Sequence, residues 1–148
     1  MVLDNDFKEF VALLNGHNVR YLVVGGYAVG FHGHPRYTKT LMFGVDVSRE
    51  NARKIIAVLS AFGFGSLGLT EKDFLTAGEF TQLGYPPQRI DILTSCEGVD
   101  FADCYSLRET IDVGGMEIDF IDIQNLVKNK TAVGRPQDLA DVSNLKPA

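Results

Sequence analysis

The run Tyr21-Leu22-Val23-Val24 breaks off at Gly25-Gly26, and this junction constrains the fold more than any other stretch of the chain. A short block of β-branched and apolar residues reads as a strand, and paired glycines behind it permit an abrupt turn. Tyr27 to about Phe31 then reads as a short helix, and His32-Gly33-His34-Pro35-Arg36 as a loop. Leu41 to Val47 is apolar nearly throughout, which predicts a second, central strand.

The flanking sequence supplies the layers to cover such strands. Phe7, Phe10, Val11 and Leu14 recur at helical spacing, with Asp4 to Asp6 as capping candidates and Gly16 as the stop. Ser48 is an N-cap for a helix carrying Ile55, Ile56, Val58, Leu59 and Phe62, which ends at Gly63. Thr70 with Asp73 forms a capping-box pattern ahead of Phe74. Glu79 to Leu83 and Arg89 to Leu93 read as strands, and Phe101 to Leu107 as a helical turn or two. Gly114-Gly115 between Ile111–Val113 and Met116–Ile121 marks a hairpin. Helices from Ile123 to about Lys130 and from Pro136 to Leu145 close the chain. The order predicts an α+β fold, a mixed β-sheet flanked by helices, with residues 1–148 forming one domain.

Composition excludes several function classes. Hydrophobic residues are 45% and charged residues 22%, as in a packed globule. Formal net charge is −5, from 14 basic and 19 acidic residues, which argues against nonspecific coating of nucleic acid. The first residues carry Asp4, Asp6, Lys8 and Glu9, unlike a signal peptide, and no uncharged run is long enough for a membrane span. Cys96 and Cys104 read as reduced thiols, so the expected location is the cytoplasm.

Val24-Gly25-Gly26-Tyr27-Ala28-Val29, followed by His32 to Lys39, resembles the opening motif of the minimal nucleotidyltransferases. The subgroup it is most similar to is the AbiEii-type toxins and their relatives, which share the polymerase-β-like fold. Leu83 to Leu93, centred on Asp91, resembles the strand bearing that family's third carboxylate, and Leu126 to Asp141 resembles its closing helices. The likeness runs through the whole chain in order. It implies a nucleoside-triphosphate pocket with Gly25, Gly26, Arg36, Lys39 and Lys130 near the nucleotide, and Asp91 as a catalytic carboxylate. It also implies Mg²⁺ or Mn²⁺ as cofactor, and a protein partner of the toxin–antitoxin type. The chemistry asks for these residue types. Glycines let backbone N–H groups approach a phosphate, and carboxylates at alternate strand positions share a face and hold metal ions.

The sequence departs from the family at one place. The Asp-x-Asp pair should stand at positions 40 and 42, which are Thr40 and Met42 here. A hydroxyl and a thioether do not replace carboxylates on magnesium. Asp46 reads as sharing the strand face of Thr40 and Met42, but lies four residues past Met42, about 13 Å away in an extended strand. The expectation is a scaffold with weak or lost nucleotidyl transfer. The alternatives are a noncatalytic nucleotide-sensing or toxin–antitoxin-type module, and an active transferase with a metal site relocated to Asp46 and Asp91. Asp91 reads either as a site residue or as a strand residue facing water. Lys130 and Arg135 read as facing either the nucleotide or the chain's own acidic pair, Asp138 and Asp141. His32 and His34 read as a polar loop rather than a metal site.

Overall fold

The computed structural model describes residues 4–34, 38, 40–84 and 89–145. Its elements follow the chain as α1 (Asn5–Gly16), β1 (Tyr21–Val24), α2 (Gly25–Phe31), β2 (Thr40–Val45), α3 (Arg49–Phe62), β3 (Phe80–Leu83) and β4 (Arg89–Leu93). They continue as α4 (Phe101–Ser106), β5 (Glu109–Val113), β6 (Met116–Phe120), α5 (Ile123–Val133) and α6 (Pro136–Leu145). Two 3₁₀ turns, Gly65–Leu67 and Glu71–Phe74, link α3 to β3. The six strands form one mixed sheet in the order β3-β4-β2-β1-β6-β5. β1 runs antiparallel to β2 and parallel to β6, and β2 runs parallel to β4. The α+β, mixed-sheet expectation holds.

Alternation along the two central strands sorts their side chains onto opposite faces. Tyr21, Val23, Phe43 and Val45 face α1 and α3. There Phe10 lies 5.6 Å from Phe43 and 5.1 Å from Phe62, ring centre to ring centre. Phe7, Phe10, Val11 and Leu14 are all buried, the i, i+3, i+4, i+7 stripe that holds α1 on the sheet. Each such phenyl ring contributes about 1.5–3 kcal/mol by leaving water. Asp4 caps α1 by accepting from the Asp6 amide at 2.8 Å, and the Ser48 hydroxyl accepts from the Asn51 amide to cap α3. The Thr70–Asp73 capping box forms as expected, around a 3₁₀ turn rather than an α-helix.

Several element edges differ from the sequence reading. α2 begins at Gly25 itself rather than at Tyr27, so strand and helix abut without a separate turn. Gly25 makes the corner by taking φ +70°, where a side chain is strained. β2 stops at Val45, two residues early, because Asn51 takes over the backbone beyond it. Its amide donates to the carbonyls of Asp46 (2.8 Å) and Arg20 (3.1 Å). α5 runs on to Val133, three residues past the expected end.

His32 follows the last turn of α2, with a ring nitrogen 2.7 Å from the Ile121 carbonyl oxygen, and Phe31 stacks on Phe120 at 4.4 Å. No group of three His, Cys, Asp or Glu that could hold a metal occurs among the described residues. Cys96 and Cys104 are free thiols beside a small apolar void, and burial pushes each up to about 11. No helix among the described residues is long and apolar enough to cross a membrane.

Candidate functional site

The second face of the sheet carries Thr40 and Met42 of β2, and strand register determines their neighbours. Thr40 lies beside Arg89 and Met42 beside Asp91 on parallel β4. Gln82 of β3 flanks Asp91 on its other side, and Val24 flanks Met42. A row of Gln82, Asp91, Met42 and Val24 therefore crosses four strands and ends at the Gly25 corner. This row floors a cleft of about 710 Å³. Its lining includes Gly25, Gly26, Thr38, Thr40, Arg89 and Phe80, with Lys130, Arg135 and Asp138 on the opposite wall.

The structure thus brings Gly25, Gly26, Thr40, Met42, Asp91 and Lys130 to one cleft. Arg36 and Lys39, the other two basic candidates, lie outside the described residues. Asp46 goes elsewhere. It sits past the end of β2 and lines a separate polar cleft with Arg20, Ser48, Glu50, Asn51 and Lys54. The expectation that Asp46 shares the face of Thr40 and Met42 is corrected by the early end of the strand, and Asp46 does not join Asp91.

Asp91 does not face water. It is completely buried, and the partly exposed Arg89 grips both of its oxygens. Arg89 Nε donates to Oδ1 at 3.0 Å and Nη2 donates to Oδ2 at 3.1 Å. Arg89 was not among the sequence candidates, although its i, i+2 spacing to Asp91 on one strand face was the signal for it. Burial pushes the Asp91 carboxyl up, Arg89 pulls it part of the way back, and it stays above its ordinary value of 3.8. Met42 closes the other side of Asp91. A Cβ on Gly25 would lie 3.2 Å from the Met42 sulfur, so the thioether packs directly on the glycine corner.

Lys130 reaches the cleft wall, but its ammonium is engaged from behind. It lies 3.2 Å from Asp138 Oδ1 and 2.9 Å from Asp141 Oδ2, with all three side chains nearly sealed from solvent. Arg135, mostly exposed, adds Nε to Asp138 Oδ2 at 2.7 Å and its backbone amide to the same oxygen at 3.3 Å. Gln137 donates to Asp141 at 3.0 Å. Of the two sequence readings for Lys130 and Arg135, the structure realises the pairing with the chain's own acidic helix. Burial alone would raise Asp138, but the Arg135 and Lys130 bonds more than offset it and leave the carboxyl below its ordinary value.

The loop after β4 is held against α5. Asn129 donates to the Glu97 carbonyl at 2.9 Å. At Gly98, φ +80°, a Cβ would come within 2.6 Å of Ala132 Cβ and 3.2 Å of the Lys128 carbonyl, so only glycine allows this approach.

The two buried aspartates tie stability to pH with opposite signs. Asp91 binds its proton more tightly folded than unfolded, so its contribution is present below pH 3.8 and lost as pH rises through the raised value. Asp138 binds its proton less tightly folded, so its contribution is present above pH 3.8 and lost as pH falls through the lowered value. Thermal melts across this range should show Asp91→Asn flattening the upper side of the profile and Asp138→Asn flattening the lower side. The same slope change in both variants would refute the assignment.

No family model matches the sequence, and no curated protein matches it. Solved structures do. An assigned nucleotidyltransferase from Thermotoga maritima aligns over 93% of this chain and 88% of its own, with TM-score 0.64 and 15% identity. The lincosamide antibiotic adenylyltransferase LnuA, solved with lincomycin bound, aligns over 97% and 96%, with TM-score 0.57 and 12% identity. An antigenic nucleotidyltransferase-like protein from Paracoccidioides brasiliensis aligns over 95% and 74%, with TM-score 0.57 and 15% identity. At such identities the likeness is one of fold, and this chain has the minimal nucleotidyltransferase fold.

Proposed function

We propose that the cleft over β2 and β4 is a nucleotide pocket and that its nucleotidyl transfer is weak or lost. One observation carries this reading. The register sets Thr40 and Met42 beside Arg89 and Asp91, where two further carboxylates would be needed to hold a metal with Asp91. Mg²⁺ or Mn²⁺ does not fit the residues present. A hydroxyl, a thioether and one buried carboxylate bound to arginine lack the hard anionic oxygens a divalent ion requires. The fold neighbours that bear transferase names support the nucleotide part of the proposal. The position of Asp46, in another cleft, speaks against a relocated metal site.

The test is incubation of the protein with each of the four labelled nucleoside triphosphates, Mg²⁺ or Mn²⁺, and cell extract as a source of acceptors. The expected result is no label transfer above that of Asp91→Ala. Robust transfer that vanishes in Asp91→Ala overturns the loss of chemistry. The outcome supporting a nucleotide-sensing role is binding by calorimetry without turnover.

A further inference from the structure

We infer that the cleft takes its nucleotide without a divalent ion, the Arg89 guanidinium standing in the charge position beside Asp91. This deepens the nucleotide reading above and rests on it. It specifies the ionic form of the ligand: a nucleotide whose phosphates are not chelated.

Arg89 and Asp91 are two residues apart on β4, and both guanidinium–carboxylate bonds are short, at 3.0 and 3.1 Å. Asp91 is completely buried, whereas Arg89 is 30% exposed and lines the cleft. The cation therefore lies between the carboxylate and the opening. A guanidinium has five N–H donors and remains charged at any physiological pH. Two donors engage Asp91, and three others belong to the same planar fork, whose shape matches phosphate oxygens.

Other charges on the cleft do not take over this part. Lys130 is held by Asp138 and Asp141, Arg135 makes its own two-bond grip on Asp138 at the wall rather than the floor, and Glu79 and Glu97 are exposed acids that repel phosphate. Among the described residues Arg89 is thus the cation nearest the floor whose carboxylate partner leaves part of its fork uncommitted. A chelated triphosphate would bring a divalent cation against that guanidinium. It would have to displace Arg89 from Asp91, which leaves a partly buried arginine facing two like charges. A bare phosphate instead meets donors that are already oriented.

The measurement is calorimetric binding of the four nucleoside triphosphates, once in EDTA and once in saturating Mg²⁺. At least one should bind in EDTA, and Mg²⁺ should weaken it by about tenfold, the order of one unfavourable charge contact. Arg89→Gln with Asp91→Asn removes the pair without stranding a buried charge, and this double variant should lose about tenfold or more of the EDTA affinity. Binding that requires Mg²⁺ would overturn the inference and leave the nucleotide reading intact. Unchanged affinity in the double variant would remove Arg89 from the site. No binding in either condition would overturn both the inference and the nucleotide pocket.

Discussion

Lys130→Met should destabilise the protein by about 3–5 kcal/mol in urea titration, the cost of stranding buried charge by removing its partner. The ammonium lies between Asp138 and Asp141, 3.2 and 2.9 Å away, and all three side chains are almost wholly shielded. Methionine matches the stem of lysine in volume, so lost packing is a small part of the effect. Asp138 keeps Arg135, whereas Asp141 loses the ammonium at 2.9 Å and keeps the neutral Gln137 amide at 3.0 Å. The double variant Lys130→Met with Asp141→Asn should accordingly recover most of the loss. A single variant as stable as the wild type would show that the cluster is hydrated and that α5 and α6 are held by apolar contacts alone.

Thr40→Asp with Met42→Asp should turn a protein indifferent to manganese into one that depends on it. The two positions share a strand face with Arg89 and Asp91 as direct neighbours, so the new acids would crowd Asp91. In EDTA, repulsion among the carboxylates and the loss of Met42 packing on Gly25 should lower stability by about 2–4 kcal/mol. Manganese at 100 times its dissociation constant should restore about 2.7 kcal/mol, as any ligand of the folded state does. Melting temperature with and without Mn²⁺ reads this directly. A wild-type melting point that rises with Mn²⁺ would refute the statement that the present residues do not fit a metal. A double variant whose melting point ignores Mn²⁺ would show that positions 40 and 42 are not where the acids belong.

Local physical chemistry made much of this architecture legible. Apolar blocks ended by glycine, the Ser48 and Thr70 caps and the Gly114-Gly115 hairpin all depend on residues within a few positions of one another, and they formed as read. The placement of Gly25 and Gly26 opposite Asp91 followed from motif order. What remained hidden depended on contacts distant in sequence. Alternation puts Arg89 and Asp91 on one face, but only the parallel register with β2 and the cover of β3 bury Asp91 beneath Arg89. The i, i+3 spacing of Asp138 and Asp141 showed a shared helix side, while their joint capture of Lys130 required the angle between α5 and α6. Asp46 was misplaced because Asn51, five residues on, draws the chain away from the strand path.

The absence of a side chain at Gly98 has a mechanical consequence. The loop leaving β4 nests directly on α5 with no Cβ between them, and the Asn129 bond to the Glu97 carbonyl fastens the same two segments, so a larger residue at position 98 would push floor and wall of the cleft apart.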